Sequence, residues 1–221
     1  MRLGVISDVH ANRIALEAVL DDMPAVDDLV CAGDVVGYNP WPGDCVDVVR
    51  SRCSATVMGN HDRNVDTPER YAANHMARAG LEHAQATLTD DQLAWIRSLP
   101  RSVELADGDL LLVHDHPTEQ DRYVMPREFP SLAPYLDDYD AVVLGHTHVQ
   151  HAERVDGGLV CNPGSVGQPR DGDPRAGYAV LDTETTTVDL HRVAYDVEAV
   201  RTAVRDAELP DQTGDRLVEG Q

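Results

Sequence analysis

Short apolar runs and amphipathic segments alternate along the first quarter of the chain. The run at residues 3–7 has the length of a buried strand, and residues 15–23 repeat apolar side chains at helical spacing. Two more short apolar runs, at residues 29–32 and 55–58, enclose an amphipathic segment at residues 42–52. This order predicts strands that alternate with helices, which is typical of a parallel sheet built from β-α-β units.

The pattern changes in the second half, where predicted strands outnumber helices. Residues 68–99 have helical periodicity with a break near Thr89, where the sequence Thr-Asp-Asp-Gln forms a capping box for a second helix. Asp107 and Gly108 then predict a hairpin turn into an apolar strand that ends at His114. The remaining predicted elements are a fifth strand in residues 140–148, hairpins in residues 151–165 and 177–195, and a helix at residues 197–208.

The predicted elements define a fold class and a domain boundary. Strands that alternate with helices and lead into a strand-rich half predict an α/β protein, a two-sheet β-sandwich flanked by helices in α/β/β/α layers. Residues 1–208 are long enough for one sizeable core and predict a single domain. The polar, glycine-containing residues 209–221 are expected to form a disordered tail.

Each of the five apolar strands runs directly into side chains that can bind a metal ion. These strand-end residues are Asp8, His10, Asp34, Asn60, His61, Asp62, His114, His146 and His148. A single histidine on a strand is more often an ordinary core or surface residue. Five buried strands that each end in Asp, Asn or His would carry desolvation costs that mutual pairing or metal binding must offset. Because ligands of α/β sheets bind beyond the carboxyl ends of the strands, we expect a metal site there.

The types of ligand restrict the metal. Oxygen and imidazole ligands without a thiolate favour Mn²⁺, Fe, Zn²⁺, Co²⁺ or Ni²⁺ over Ca²⁺ or Cu(I). The groups are too numerous for one ion. Two ions about 3.5 to 4 Å apart that share one carboxylate would use them, and such pairs stabilise the attacking and leaving oxygens of a displacement at phosphorus.

The strand-end motifs, taken in order, resemble those of the calcineurin-like metallophosphoesterases. They are DVH at residues 8–10, AGD at residues 32–34, GNHD at residues 59–62, the strand-end His114, and GHTH at residues 145–148. The resemblance extends to about residue 195. Within the family, the segments GDVVGYNPWP and NPGSVGQPRDG are similar to the small, single-domain bacterial and archaeal phosphodiesterase-type branch.

The resemblance implies a centre of two divalent ions and a role for each strand-end residue. Asp8, His10, Asp34 and His148 would hold the first ion, and Asp34, Asn60, His114 and His146 the second, with Asp34 bridging. A metal-bridging hydroxide would attack phosphorus, while His61 assists the leaving group and Asp62 orients His61. The implied activity is hydrolysis of a phosphodiester or phosphomonoester, with Mn²⁺ as the first choice of metal.

Two positions near these motifs are open to more than one interpretation. Arg170, in the GQPRDG segment, is a candidate substrate-binding residue together with Asn60, because a guanidinium group matches phosphate oxygens; a surface arginine is the alternative. His114 is followed by Asp115 and His116, where family members often carry glycine. We take His114 as the ligand because it directly ends the strand. His116 is either a neighbour that shapes the pocket or a surface residue.

The composition bears on the expected source and partners of the protein more than on its expected chemistry. The net charge of -21 arises from 39 acidic and 18 basic residues, and every basic residue is arginine. Such a lysine-free, acidic chain predicts a halophilic source, since high salt screens the repulsion between surface charges. The same charge argues against nucleic acid as a partner, although the argument loses force in molar salt.

Other sequence features predict the compartment and the partners. The four cysteines form no CxxC pair, which favours a reducing compartment. The chain opens on a strand without an apolar leader, and no apolar run reaches the roughly 20 residues needed to span a bilayer. We therefore expect a cytoplasmic protein without a membrane partner. A phosphorylated small molecule is the expected substrate, and a homo-oligomer is left open.

Functions of other classes compete with the phosphoesterase hypothesis. Scaffold proteins that resemble this fold have lost metal ligands or the catalytic histidine, whereas His61 and all the strand-end ligands are present here. A single-metal hydrolase of amides or esters does not suit the paired GNHD and GHTH motifs. A DNA-repair nuclease would need additional DNA-binding segments, for which the chain has no room.

Overall fold

A computed structural model describes residues 1–221 and contains ten strands, seven α-helices and four 3₁₀ segments. The strands are β1 (Arg2–Ile6), β2 (Asp28–Cys31), β3 (Ala55–Thr56), β4 (Ser102–Leu105), β5 (Leu110–Val113), β6 (Ala141–Val143), β7 (His151–Val155), β8 (Gly158–Asn162), β9 (Ala176–Asp182) and β10 (Thr187–Val193). The helices are α1 (Arg13–Asp22), α2 (Pro42–Arg52), α3 (Asn60–Arg63), α4 (His75–Thr87), α5 (Asp90–Ser98), α6 (Val197–Asp206) and α7 (Asp211–Asp215). The 3₁₀ segments are Pro68–Tyr71, Ala106–Gly108, Pro126–Tyr135 and Arg216–Val218. None of the helices has both the length and the apolar character that a membrane crossing requires.

The ten strands form two five-stranded sheets, which confirms the predicted two-sheet α/β fold. The first sheet has the order β10-β9-β1-β2-β3, with β1, β2 and β3 parallel and with β9 antiparallel to both of its neighbours. The second has the order β4-β5-β6-β8-β7, with β5, β6 and β8 parallel and antiparallel strands at both edges. The parallel strands at the centre of each sheet therefore end at the same edge.

Apolar side chains on both faces of the central strands explain the continuous apolar runs in the sequence. Leu3 and Val5 of β1 belong to the buried cluster between the sheets, together with Leu112 and Val143 of the second sheet. On the opposite face, Ile6 belongs to the cluster formed with helices α1, α2, α4 and α5. Each central strand is thus buried on both sides, and its polar residues are confined to its ends.

The helices begin close to where the sequence predicts them. Thr89 caps α5, since its Oγ1 accepts a hydrogen bond from the backbone N–H of Gln92 at 3.3 Å, and Gln92 Oε1 accepts one from the N–H of Thr89 at 3.0 Å. The predicted helical stretch of residues 68–99 divides into Pro68–Tyr71, α4 and α5, because Asn74 provides a further side-chain cap at the start of α4.

The 3₁₀ segment Pro126–Tyr135 covers the outer face of the second sheet. Its residues Phe129 and Leu132 are fully buried in a cluster with Val142 and Val160. The prolines within the segment interrupt regular helical hydrogen bonding, and no element is predicted for these residues from the sequence.

The C-terminal residues differ from the expected disordered tail. Helix α7 and the segment Arg216–Val218 follow α6, and Leu209 and Leu217 are buried in a cluster with Val200 and Val204 of α6. Two leucines far apart in a polar stretch produce no periodic pattern, and this packing could therefore not be predicted from the sequence. They nonetheless fix residues 209–221 to the rest of the molecule.

Candidate metal centre

The carboxyl ends of β1, β2, β3, β5 and β6 bring the strand-end residues to one buried place. The seven predicted metal ligands are all buried: Asp8, His10, Asp34, Asn60, His114, His146 and His148. Three groupings have ligand atoms that all lie within 4.8 Å of one another: Asp8 with His10 and His148, Asp8 with Asp34 and His114, and His10 with Asp34 and His61. Of the other two predicted ligands, Asn60 has its Oδ1 3.2 Å from His114 Nε2, and His146 belongs to none of the three groupings.

Five of the predicted ligands have a left-handed backbone conformation. The φ angles are 52° at Asp8, 47° at His10, 54° at Asp34, 69° at His146 and 59° at His148. This conformation is uncommon for residues other than glycine and costs on the order of 1 kcal/mol or more at each position. The chain therefore turns sharply after β1, β2 and β6. Backbone strain of this kind clusters at functional sites, where the surrounding structure holds it in place.

Backbone carbonyl groups fix the orientation of three imidazoles. Nδ1 donates a hydrogen bond to a carbonyl oxygen in each: His10 to Val36 at 3.1 Å, His114 to Ala32 at 2.7 Å, and His148 to Gln168 at 2.6 Å. A carbonyl oxygen can only accept, so the proton lies on Nδ1 and leaves Nε2 to face the other ligands. Metal-binding histidines typically have their second nitrogen held in this way.

In the grouping of Asp8, His10 and His148, lone pairs on neighbouring nitrogen and oxygen atoms face one another with no proton between them. His10 Nε2 and His148 Nε2 are 3.0 Å apart, and Asp8 Oδ1 lies 3.1 Å from His148 Nε2. Burial lowers the pKa of both histidines, so that neither carries a second proton at neutral pH. Asp8 Oδ1 is buried and accepts no hydrogen bond. A cation among these atoms would satisfy them, and the residues therefore fit a metal ion.

Asp34 lies between two of the imidazoles. Its Oδ2 is 3.7 Å from His10 Nε2 and 3.4 Å from His114 Nε2, while Oδ1 accepts a hydrogen bond from the backbone N–H of His61 at 2.8 Å. Burial opposes a charged His114, but the carboxylates of Asp34 and Asp8 outweigh it and raise the pKa of His114 to about 10. The surroundings of Asp34 therefore favour positive charge.

His61 is enclosed by aromatic rings. Its ring centroid lies 4.8 Å from that of His10, 4.7 Å from that of Tyr38 and 4.9 Å from that of Tyr71. Burial lowers the pKa of His61 to about 4, and its Nδ1 has no hydrogen-bond partner. Gly37 provides the space, because a Cβ at that position would lie 2.4 Å from His61 Nδ1. His61 is thus a neutral imidazole in a fixed position.

Asp62, which is predicted to orient His61, forms no side-chain hydrogen bond with it. The carboxylate of Asp62 instead accepts hydrogen bonds from the backbone N–H groups of Val35 at 2.9 Å, Val36 at 3.2 Å and Gly59 at 3.1 Å. Burial and the nearby Asp34 raise the pKa of Asp62 to about 7. Asp62 therefore ties the loop after β2 to the start of α3, and any effect on His61 passes through the backbone.

His146 and Asn60 both lie next to His114. The ring of His146 stacks on Tyr123 with centroids 4.0 Å apart and lies 5.0 Å from the ring of His114. His146 Nε2 donates to the carbonyl oxygen of Asp121 at 3.3 Å, which leaves Nδ1 as the nitrogen with a free electron pair. Asn60 Oδ1 is 3.2 Å from His114 Nε2.

His116 lies away from the ligand groupings and shapes the loop after β5. Its Nδ1 accepts hydrogen bonds from the backbone N–H groups of Thr118 at 3.3 Å and Glu119 at 3.2 Å, and its ring meets the edge of Tyr135. Of the two histidines that follow β5, His114 is therefore the one that lies among the ligand groups.

A cavity of about 250 Å³ lies over the centre. Its lining consists of Asp34, Tyr38, Asn60, His61, Tyr71, Asn74, Tyr123, His146, His148, Arg170 and Arg216. Arg170 donates hydrogen bonds from Nη2 to Gln168 Oε1 at 2.6 Å and to the hydroxyl of Tyr38 at 3.2 Å. The sequence motifs point to Arg170 but not to the three tyrosines or Arg216. Tyr38 does lie within the quoted GDVVGYNPWP segment, which is a usable signal, whereas the others stand outside every motif.

A two-sheet sandwich with buried Asp, Asn and His side chains at its strand ends is the arrangement of the metallophosphoesterases. The calcineurin-like phosphoesterase superfamily domain matches residues 1–186, and the chain belongs to this superfamily. The match confirms the resemblance seen in the sequence motifs. It ends before α6, so that the C-terminal helices lie outside the matched residues.

Relatives of the chain include both unassigned proteins and phosphoesterases. The chain is 30% identical to an uncharacterized protein of Methanocaldococcus jannaschii, over 99% of this chain and 98% of that protein. It is 29% identical to the phosphodiesterase YfcE of Escherichia coli, over 85% of this chain and 91% of that protein. A solved metallophosphoesterase from Sphaerobacter thermophilus is 35% identical, covers 100% of both chains and has a TM-score of 0.89. This last likeness includes the C-terminal helices.

Proposed function

We propose that this protein is a phosphoesterase that depends on two divalent metal ions and hydrolyses a small phosphodiester or phosphomonoester. The observation that carries the proposal is the set of buried electron pairs at the strand ends. His10 Nε2 and His148 Nε2 lie 3.0 Å apart, and Asp8 Oδ1 beside them accepts no hydrogen bond. In a family of metal-dependent phosphoesterases, this geometry supports a working metal centre over a scaffold that has lost one.

The strand-end residues divide between two ions. Asp8, His10, Asp34 and His148 would hold the first, and Asp34, Asn60, His114 and His146 the second. Asp34 suits the shared position because its Oδ2 lies between His10 and His114. Mn²⁺ is the first choice, and Fe, Zn²⁺, Ni²⁺ or Co²⁺ suit the same ligands. When bound, the two ions would supply Lewis-acid stabilisation of phosphoryl charge and a water nucleophile at neutral pH.

His61 is the residue placed to assist the leaving oxygen. The surrounding rings fix it at the cavity wall, and its lowered pKa keeps it as a neutral imidazole with one N–H to donate. A hydrogen bond or a proton from His61 would offset the negative charge that develops on the departing oxygen. Asp62 supports this position indirectly, through its bonds to the backbone on both sides of the site.

The cavity favours a small substrate. Its volume of about 250 Å³ is below the roughly 300–1,000 Å³ of typical sites for drug-sized ligands. Arg170 faces this cavity, and a guanidinium group suits the oxygens of a phosphoryl group. Because YfcE is a phosphodiesterase, diesters are the first substrates to test.

The test compares hydrolysis of bis-p-nitrophenyl phosphate with hydrolysis of p-nitrophenyl phosphate. The protein is stripped of metal and then resupplied with Mn²⁺, Ni²⁺, Zn²⁺ or Mg²⁺ in molar KCl. We expect turnover only after metal is added, a preference for the diester, and about two bound ions per chain. Asp34→Asn should lower kcat by roughly 10³-fold and reduce the bound metal, because the shared carboxylate is lost.

His151→Ala is the matched control, since this imidazole lies on β7 and does not line the cavity. It should turn over both esters as the wild type does. Metal-independent turnover, or an Asp34→Asn variant as active as the wild type, would contradict the proposed mechanism. A folded and metal-loaded protein that hydrolyses neither ester would favour the scaffold hypothesis.

A further inference from the structure

Two arginines from distant parts of the chain line the cavity above the metal centre. Arg170 follows β8, whereas Arg216 belongs to the C-terminal segment Arg216–Val218. Neither is a candidate metal ligand. Arg216 also lies beyond residues 1–186, which match the family domain. The wall of the cavity therefore carries two arginines, of which only Arg170 lies within the residues that match the family domain.

The chain end is fixed against the loop that carries Arg170. The backbone N–H of Gly172 donates a hydrogen bond to the carbonyl oxygen of Gly220 at 3.0 Å. Gly220 has a φ of 64°, and a Cβ there would lie 2.6 Å from the backbone of Asp173, so the two segments touch. These contacts bring Arg216 to the side of the cavity that Arg170 already lines.

The residues on both sides of Arg216 are also fixed. Leu217 is fully buried in the cluster that α6 forms with the C-terminal segment. Asp215 forms an ion pair with Arg201 of α6 at 2.6 Å. The guanidinium of Arg216 therefore extends from a fixed piece of backbone.

Neither guanidinium has an Asp or Glu partner, although the chain contains 39 of these residues. Arg170 donates to the neutral oxygens of Gln168 and Tyr38, and Arg216 donates only from Nε, to the main-chain oxygen of Gln221, the last residue. Burial and the neighbouring charge of Arg170 both lower the pKa of Arg216. Two like charges that share a cavity repel each other, and a bound anion would offset that repulsion.

We propose that Arg170 and Arg216 form a subsite for a second phosphate group of the substrate, beside the scissile phosphate at the metal centre; this rests on the proposed function. Two divalent ions, when bound, would outweigh the carboxylates of Asp8 and Asp34 and would supply the positive charge that a scissile diester requires. Two additional guanidinium groups match a phosphate monoester, which carries nearly two negative charges and accepts paired hydrogen bonds. The substrate class is therefore a small phosphodiester that also carries a phosphate monoester.

The experiment uses two chromogenic diesters that differ only in a second phosphate, thymidine 3′-phosphate 5′-(p-nitrophenyl phosphate) and thymidine 5′-(p-nitrophenyl phosphate). With the full chain loaded with Mn²⁺, kcat/KM should be roughly 10-fold higher for the doubly phosphorylated probe, a difference of about 1.4 kcal/mol. Arg216→Gln should bring the ratio to about 1, mainly through KM. Arg205→Gln is the matched control, because Arg205 is exposed on α6 and does not line the cavity, and it should preserve the ratio.

Equal kcat/KM values for the two probes in the wild type would overturn the subsite. An Arg216→Gln variant that slows both probes by the same factor would also overturn it, since Arg216 would then act on the scissile phosphate or on folding.

Calorimetry separates this proposal from the proposed function. Thymidine 3′,5′-bisphosphate should bind more tightly than thymidine 5′-monophosphate to the wild type, and the two should bind equally to Arg216→Gln. This preference in a protein that turns over neither diester would support the subsite and contradict only the phosphoesterase activity. Turnover without any preference would do the reverse.

Discussion

The candidate metal centre and the rim of the cavity are held by different kinds of contact. At the centre, backbone groups fix the side chains: carbonyl oxygens hold His10, His114 and His148, and N–H groups hold the carboxylates of Asp34 and Asp62. At the rim, which consists of Tyr38, Tyr71, Tyr123, Arg170 and Arg216, several contacts are between side chains. Tyr123 is 49% exposed, whereas Asp8 and His10 are 0% exposed.

The buried centre is suited to the chemical step, and the partly exposed rim is suited to the choice of substrate. Displacement at phosphorus requires reacting groups to be positioned within a fraction of an ångström, and groups held by the backbone of two sheets meet that demand. Side chains at a partly exposed rim can be replaced without moving the strand ends. Changes at the centre should therefore alter kcat, and changes at the rim should alter KM and the choice of substrate.

Among changes that leave the bound metal unaltered, His61→Ala should have the largest effect on kcat. We expect a loss of roughly 10²- to 10⁴-fold with unchanged bound metal, because a leaving-group donor is removed. The loss should be smaller for a p-nitrophenyl ester than for an alkyl ester, since p-nitrophenolate needs little help to depart. The measurement is kcat over a series of leaving groups. The same dependence on the leaving group in variant and wild type would exclude this role for His61, and a loss of metal would make it a ligand.

Gly37→Ala tests whether the position of His61 depends on space beside it. Gly37 and Gly108 have similar φ angles, 98° and 102°, but a Cβ would meet His61 at 2.4 Å in the first and nothing within 4 Å in the second. Both substitutions should lower the free energy of unfolding by about 1–2 kcal/mol. Only Gly37→Ala should lower kcat, by roughly 10²-fold, through displacement of the ring. Equal activities of the two variants would contradict this account.

Asp62→Asn probes the backbone bonds that hold the centre. The amide nitrogen of asparagine cannot accept, so at least one of the N–H groups of Val35, Val36 and Gly59 would lose its partner. Urea unfolding should show a loss of about 1–3 kcal/mol, with a smaller reduction of kcat than His61→Ala produces. Asp137→Asn, at an exposed position, is the control and should change neither. Unaltered stability of Asp62→Asn would mean that these three bonds contribute nothing.

Leu217→Ala should have the smallest effect on activity, and this effect should be confined to substrate binding at the rim. Loss of this buried side chain should loosen residues 209–221, speed their hydrogen exchange and raise KM for a doubly phosphorylated substrate a few-fold. Val218→Ala is the control, because Val218 is 47% exposed. A fall in kcat for bis-p-nitrophenyl phosphate in Leu217→Ala would show that the C-terminal segment also supports the centre.

The sequence predicts the centre because its pattern is local. Asp8 and His10 directly follow an apolar run, and the same relation holds for the other strand ends, so parallel strands bring them together. The role of Asp62 could not be predicted in the same way. Successive residues of a helix point about 100° apart, so within α3 the side chains of His61 and Asp62 face different neighbours.

The rim forms where segments that are distant in the sequence pack together, and no local sequence pattern predicts that packing. Tyr71 lies in a 3₁₀ segment, Tyr123 in the loop after β5, and Arg216 in the last turn of the chain. None directly follows a strand, and Tyr123 and Arg216 belong to no periodic run. The sequence allows two interpretations of Arg170, substrate binding or a surface position, because a single arginine in a loop does not show which way its side chain points. The structure places it at the cavity.

Because main-chain carbonyl groups hold three imidazoles, the positions of these rings tolerate substitution at the residues that carry the carbonyls. Ala32, Val36 and Gln168 supply main-chain oxygens, and every amino acid at those positions would carry the same carbonyl group. Substitution can therefore remove these anchors only by moving the backbone, which two packed sheets resist. A lineage can exchange its solvent-facing residues, even for a surface as acidic as this one, while these three imidazoles stay in place. Adaptation to a new environment and retention of the chemistry are in this sense independent.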